Sequence, residues 1–344
     1  MSIGVLGFVV WSQNFFFLLL LINICCVYNI NKYNIISKIF TQRYFATGSY
    51  QKQKLNPYFI TGFCDGESYF NVSISKNSKF KVGWAVKLSF GINLHKKDQE
   101  LLENIKVFFN DIGVIMDREK NVIKFTVTSI ADLEIIINHF EKYPLITQKQ
   151  ADYLLFKQVF DLVKHKNHLT FDGLKEIVKL KASINKGLND ELKEAYPDII
   201  PAIRPLIVKQ EIYNPYWLVG FVTAEGCFRI KISKSNTHKI GYSVGLRFLI
   251  TQHIRDEQLL ISFKNYFGCG EYKQRKGQLA GDFNVNKTSD IFNIIIPFFE
   301  KYPLYGIKAL SYLNFCKAAE IIKSEKHLTS AGLDLLIKLK NDMD

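Results

Sequence analysis

The sequence predicts an α+β protein built from two copies of one unit, each an antiparallel sheet with helices on one face and a polar, basic face left over. Two observations predict it: a long block of sequence that returns at a fixed spacing, and the same succession of helical and alternating apolar patterns inside each copy. Asn56-Pro57-Tyr58-Phe59-Ile60-Thr61-Gly62-Phe63 returns as Asn214-Pro215-Tyr216-Trp217-Leu218-Val219-Gly220-Phe221, an offset of 158 that also pairs Glu67 with Glu225, His95 with His253 and Asp98 with Asp256. Phe140-Glu141-Lys142-Tyr143-Pro144-Leu145 returns as Phe299-Glu300-Lys301-Tyr302-Pro303-Leu304 at an offset of 159, as Lys149 does at Lys308 and His168-Leu169-Thr170 at His327-Leu328-Thr329. One residue of drift over so long a unit describes a duplicated domain, with repeats over 56–181 and 214–344.

Within each repeat the elements follow in order. Asn56 and Asn214 are good N-caps and Pro57 and Pro215 suit the first helical turn, so a helix starts at each and runs to about the glutamate. A strand follows, with Phe70, Val72 and Ile74 alternating against Asn71, Ser73 and Ser75. A longer strand places Trp84, Val86, Leu88, Phe90 and Ile92 on one face and Lys87, Ser89, Gly91 and Asn93 on the other. Residues 98–109 read as an amphipathic helix with Leu101, Leu102, Ile105 and Phe108 as core, 122–128 as a strand, and 131–140, 148–163 and 171–180 as further helices. Residues 182–213 carry Pro197, Pro201 and Pro205 among mixed charge and read as a linker with one short helix over 189–196.

Composition bounds the class. Hydrophobic residues make up 48% and charged residues 22%, which is globular rather than disordered. A net charge of +13 points to a polyanionic partner, nucleic acid or an acidic membrane face. The 6 cysteines (Cys25, Cys26, Cys64, Cys227, Cys269, Cys316) form no C-x-x-C pair, which argues for free thiols in a reducing compartment and against structural zinc. The 28 Phe and 17 Tyr are as well explained by AT-rich coding as by function.

Residues 1–55 form an apolar extension outside the repeats, and its first 31 residues carry no Asp, Glu, Lys, Arg or His. Membrane anchor, removable targeting segment and fused upstream sequence all fit it. Arg43-Tyr44-Phe45-Ala46 resembles a mitochondrial presequence cleavage site.

The chemistry lies at the end of the first helix in each repeat. Gly62-x-x-x-Gly66-Glu67 and Gly220-x-x-x-Ala224-Glu225 put small residues four apart on one helical face, where two backbones can approach closely. If the two copies pack together there, Glu67 and Glu225 converge. Paired carboxylates repel unless a cation intervenes, and magnesium, a hard ion that takes carboxylate oxygens, water and phosphate, fits; manganese is a substitute. Such a site can hydrolyse phosphodiesters.

Ile60-Thr61-Gly62-Phe63-Cys64-Asp65-Gly66-Glu67-Ser68 and Leu218-Val219-Gly220-Phe221-Val222-Thr223-Ala224-Glu225-Gly226 resemble two copies of the LAGLIDADG motif. The chain after residue 55 is similar to two-repeat, single-chain LAGLIDADG homing endonucleases, in wording closest to fungal mitochondrial members of the I-OnuI type. The resemblance implies a saddle of two antiparallel sheets on a long asymmetric target in double-stranded DNA. It also implies cleavage of both strands with a divalent metal, a monomer with no obligate protein partner, and a mitochondrial, organelle-encoded origin. It implies that Glu67 and Glu225 bind metal, with the carbonyls of Gly66 and Ala224 as supplementary ligands. Gln252 matches the polar residue that orders solvent in family members, whereas the first repeat has Leu94 there. Ser68 departs from the motif's final glycine, and Thr223 stands where the first motif has Asp65, a position read as capping and structural.

Other candidates carry two readings. Lys149 and Lys308 are either stabilisers near the scissile phosphates or solvated lysines at helix starts. His95 and His253 precede helices and are read as fixing local turns. The strand-face residues Asn71, Ser73, Ser75, Lys87, Ser89, Lys124, Thr126, Thr128, Arg229, Lys231, Ser233 and Arg247 fit a DNA-binding surface as a group, against an ordinary solvated face. Lys273, Gln274, Arg275 and Lys276 are expected in a phosphate-contacting loop. The alternative functions are an RNA maturase that binds its host intron, and a DNA-binding relative without catalysis.

Overall fold

In the computed structural model, residues 54–118 and 120–343 are described, and the chain from Lys54 onward forms one compact unit. The expectations for residues 1–53 lie outside the described residues. Among the described residues, no helix is long and apolar enough to cross a membrane.

The first repeat runs α1 (Pro57–Glu67), β1 (Ser68–Lys76), β2 (Trp84–His95), α2 (Gln99–Phe108), β3 (Val114–Asp117), β4 (Val122–Val127), α3 (Ile130–Lys142), α4 (Lys149–Lys164) and α5 (Phe171–Ala182). A short α6 (Asp190–Ala195) stands in the connection. The second repeat runs α7 (Pro215–Glu225), β5 (Gly226–Lys234), β6 (Tyr242–His253), α8 (Glu257–Phe267), β7 (Glu271–Gln274), β8 (Ala280–Val285), α9 (288–301), α10 (Gly306–Lys323) and α11 (Ser330–Asn341). Each repeat is an antiparallel four-stranded sheet, of order β1-β2-β4-β3 and β5-β6-β8-β7, so the fold is α+β.

The starts of α1 and α7 follow from their sequence. Asn56 Oδ1 accepts from the Tyr58 amide and Asn214 Oδ1 from the Tyr216 amide, both at 2.9 Å, with proline in the first turn. Each helix passes without a loop into its strand. The other helices keep the expected places within two or three residues. The edge strands β3 and β7 were not legible. They are four residues long, largely exposed, and Val114-Ile115-Met116-Asp117 and Glu271-Tyr272-Lys273-Gln274 show no clean alternation. Each pairs only with β4 or β8.

Alternation along the central strands packs one face of each sheet on the helices. Phe70, Phe90, Phe140, Tyr153 and Phe156 form an aromatic cluster in the first repeat, with Phe70 centred 5.3–5.6 Å from the other four. Phe228, Phe248, Phe299, Tyr312 and Phe315 rebuild it in the second at 5.1–5.5 Å. Much of the aromatic content is therefore core, whatever its coding origin.

One helix breaks the symmetry. In α9 the turn Ile291–Ile295 widens to π geometry, where the matching α3 is regular. Pro297 follows that turn and has no N–H for the usual ladder, whereas Asn138 stands at the matching position.

The connection between repeats is strapped down. The Arg204 guanidinium donates to both oxygens of Asp152 at 2.7 and 3.0 Å, and to the carbonyls of Ser183 and Gln148. Further along, Gln210 Nε2 donates to Asp256 Oδ1 at 2.6 Å and to the Ile146 carbonyl at 3.2 Å.

Candidate active site

Helices α1 and α7 make the most extensive contact of any two elements in the fold. Glycine is required where they cross. A Cβ on Gly62 would overlap the carbonyl oxygen of Trp217, and a Cβ on Gly220 that of Phe59. One turn further along, a Cβ on Gly66 would overlap the methyl of Ala224 and come within 3.1 Å of Glu225 Cγ. The two motif glutamates are thus delivered together, each as the last residue of its helix.

Their proximity is felt electrostatically. Burial first, and then the facing Glu225 carboxylate, push the Glu67 carboxyl up to about 7, partly offset by Lys149 and Lys308. A proton on Glu67 therefore competes with any cation for this position near neutral pH. Two carboxylates and a backbone carbonyl are hard oxygen donors, the set that suits magnesium, manganese or calcium when water and phosphate complete the sphere. Among the described residues no group of three His, Cys, Asp or Glu side chains is arranged to hold a metal ion.

Lys149 and Lys308 are half-buried rather than freely solvated. Lys149 Nζ donates to the Cys64 and Gly66 carbonyls at 2.8 Å, and Lys308 Nζ donates to the Gly226 carbonyl. Lys149 thus sits on carbonyls of the last turn of its repeat's motif helix, and Lys308 on the carbonyl of the first strand residue after its own. Burial lowers both lysine pKa values, while Asp65 and Cys64 beside Lys149, and Cys227 and Glu225 beside Lys308, pull the other way. A cavity of about 540 Å³ opens beside these groups, lined by Glu67, Asn93, His95, Asp98, Ala224 and Lys308. Leu94 lines it too, but Gln252 does not; Gln252 lies near the end of β6, opposite Gly281.

Asp65 is 4% exposed and accepts from the Ile146 and Thr147 amides, the Thr147 hydroxyl and the Trp217 indole, at 2.6–3.2 Å. Thr223, at the matching position, donates its hydroxyl to the Val219 carbonyl inside its own helix. His95 Nδ1 accepts from the Lys97 amide and His253 Nδ1 from the Arg255 amide, both at 3.1 Å, so both histidines brace turns. Ser68 keeps the tight exit from α1 by donating to the Cys64 carbonyl at 2.7 Å.

The strand-face residues fall on the open side of the sheets. Asn71 is paired with Ser89, Ser73 with Lys87, and Thr126 with Gly91 next to the Lys124–Asn93 pair. Thr128 lies just past the end of β4. In the second sheet Arg229 is paired directly with Arg247, Lys231 with Gly245 and Ser233 with Ser243. Like charges placed opposite each other are unfavourable without an anion above them. The expected loop over 273–276 is corrected: Lys273 and Gln274 belong to β7, and only Arg275 and Lys276 lie in the turn. Arg275 is also bound, its Nε donating to Asp282 at 2.9 Å and its Nη2 to the Thr251 hydroxyl at 2.9 Å.

A LAGLIDADG endonuclease family model matches residues 60–160 and 218–319. The chain belongs to the LAGLIDADG endonuclease family. In Neurospora crassa, "Probable intron-encoded endonuclease 3" is 40% identical over 283 residues, 82% of this chain and 53% of that protein. "Probable intron-encoded endonuclease 2" of the same fungus is 42% identical over 301 residues, 84% of this chain and 65% of that protein. The chain therefore spans between half and two thirds of the length of these relatives. The homing endonuclease I-SmaMI bound to cleaved DNA superposes with a TM-score of 0.83 at 43% identity, covering 85% of this chain and 97% of that one. I-CpaMI bound to uncleaved DNA gives a TM-score of 0.81 at 43% identity, covering 84% and 99%. I-SmaMI has also been crystallised on uncleaved DNA with calcium.

Proposed function

We propose that this LAGLIDADG chain is a monomeric, site-specific endonuclease of the intron-homing type that hydrolyses both strands of a long asymmetric DNA target. The observation that carries the reading is the meeting of Glu67 and Glu225 at the ends of α1 and α7, with a half-buried lysine from each repeat beside them. A monomer suffices because each motif helix already has its partner within the chain. The relatives' names, which include "Uncharacterized mitochondrial protein RF1" and an ND4 intron protein, support a mitochondrial origin.

The roles follow from position. Glu67 and Glu225 would hold a divalent cation, magnesium for catalysis, with the carbonyls of Gly66 and Ala224 able to add donors. When bound, the metal supplies Lewis acidity to the scissile phosphate and lowers the pKa of attacking water. Lys149 and Lys308 hold fixed positive charge where a phosphodiester gains negative charge in its transition state. I-SmaMI was also crystallised with two lysines, 159 residues apart in its chain, changed together to alanine. Lys149 and Lys308 are separated by the same 159 residues. The strand faces supply contacts to base edges, and the paired Arg229 and Arg247 supply charge for the backbone.

The test is cleavage, by the full chain, of a duplex carrying its own insertion locus without the insertion, in magnesium or calcium. Cutting of both strands in magnesium, and none by Glu67→Gln or Glu225→Gln at unchanged affinity, is expected. Tight binding with no cutting in any divalent metal would overturn the reading.

A further inference from the structure

Gln148 and Tyr305, the residues directly before the lysine-bearing helices α4 and α10, supply no side-chain cap. At α4 the only capping group from its own repeat among the described residues is the Thr147 hydroxyl, which accepts from the Lys149 amide at 3.2 Å. Both helices also receive a cap from the opposite repeat. Asp256 Oδ1 accepts from the Gln148 amide at 2.7 Å, and Asp98 Oδ1 accepts from the Ile307 amide at 2.8 Å. Lys149 and Lys308 are each the next residue along.

The same two aspartates stand at the N-cap positions of α2 and α8, yet neither makes a side-chain cap to its own helix. The turns held by His95 and His253 deliver them to the other repeat instead. Gly306 makes room on one side: its φ is +61°, and a Cβ there would overlap Asp98 Oδ1. The capping charge also suits its setting, since an anion at a helix N-terminus offsets the unfavourable placement of a lysine in the first turn.

We propose that Asp98 and Asp256 are crossed positioning residues: each, by capping a helix of the other repeat, sets the backbone from which that repeat's active-site lysine reaches the junction of its motif helix and the following strand. The consequence is that neither lysine is in place until both repeats have docked. The two caps are not equivalent. Asp256 is 2% exposed and shares Oδ1 with Gln210 of the connection, while Asp98 is half-buried and lines the cavity beside Glu67 and Lys308.

The proposal rests on the endonuclease reading for its effect on rate, but not for the capping itself, so two measurements on the full chain separate them. The first is amide hydrogen exchange, which needs no DNA. In Asp98→Ala, exchange at Ile307 rises roughly tenfold or more while Gln148 is unchanged, because only local opening is released. Asp256→Ala shows the reverse pattern, and Asp98→Asn, whose amide oxygen still accepts, restores protection. The second is single-turnover cleavage of the uninterrupted insertion locus. Asp98→Ala lowers the rate at saturating protein about tenfold or more, one lost contact's worth. Its affinity for that duplex in calcium stays within about threefold, and Asp98→Asn recovers the rate. Unchanged exchange at Ile307 in Asp98→Ala overturns the proposal. So does a full cleavage rate in that variant, or a rate that Asn fails to rescue, which would assign the effect to charge. If the unaltered chain cuts nothing, the endonuclease reading fails, and the crossed exchange pattern still decides the capping.

Discussion

The indole nitrogen of Trp217 donates to Oδ2 of Asp65 at 2.8 Å, across the boundary between the two repeats. The symmetry-related positions are Phe59 and Thr223, which cannot make this bond: Phe59 has no donor, and Thr223 turns to Val219. Phe59 instead packs on Tyr305, ring centres 4.5 Å apart. The motif helices are therefore locked by a polar pair on one side and an aromatic one on the other. Thr223 in place of Asp65 is the other half of a matched exchange.

Removing the indole donor tests this directly. Burial raises the Asp65 carboxyl to about 6 in spite of its donors. Trp217→Phe is therefore expected to cost about 2 kcal/mol, the penalty of stripping a partner from a buried acceptor. Combining it with Asp65→Thr copies the other side, so the double variant should lose less than the sum of the singles by about 1 kcal/mol. Urea unfolding of the four proteins measures the cycle, and simple additivity would remove the pairing argument.

Glu67 predicts a pH-dependent inversion of stability. Its folded value of about 7 lies above the ordinary 4.5, so between these the folded protein keeps a proton that the unfolded chain has released. Folding stability therefore falls as pH rises through that window. Metal-free Glu67→Gln escapes the loss and should be more stable than the unaltered chain above pH ~7 by about 1 kcal/mol, after discounting for its partial exposure. The difference should vanish below pH ~4.5, where the carboxyl is protonated in both states. Adding magnesium should reverse the order by stabilising only the unaltered chain. Thermal melts at pH 5 and 8, with and without magnesium, check both halves.

The helix crossing predicts sharp intolerance at two glycines and none at a third. Gly62→Ala and Gly220→Ala push a methyl against backbone carbonyls that cannot yield without separating the helices, and each should cost about 3 kcal/mol or more. Gly245 lies in β6 with open space around it and an ordinary φ, so Gly245→Ala should stay within about 0.5 kcal/mol of the unaltered protein. Denaturant midpoints at fixed pH rank the three.

Much of this was legible from the sequence because duplication doubles every signal. Glu67 is one helix-end carboxylate among many until Glu225 repeats it, and the small residues at 62 and 220 name the crossing. What stayed hidden depended on contacts between repeats. Asp98 and Asp256 recur visibly, but a residue before a helix reads as that helix's cap, and only the docked structure shows each serving the other half. The same holds for Arg204 and Gln210, whose partners lie 52 and 46 residues away in an irregular segment with no periodicity to read. The lysines were half legible: recurrence marked them, but burial against the motif carbonyls needed the tertiary structure.

The contact between Gly66 and Ala224 has a further consequence for how the two halves diverged. At that crossing there is space for one methyl group and not for two, so an alanine is admissible in either helix only while its counterpart stays glycine. A pair of identical copies would have to carry glycine at both positions. Once one copy took the methyl, the other lost the freedom to follow, and the two halves ceased to be interchangeable one turn away from the glycine crossing.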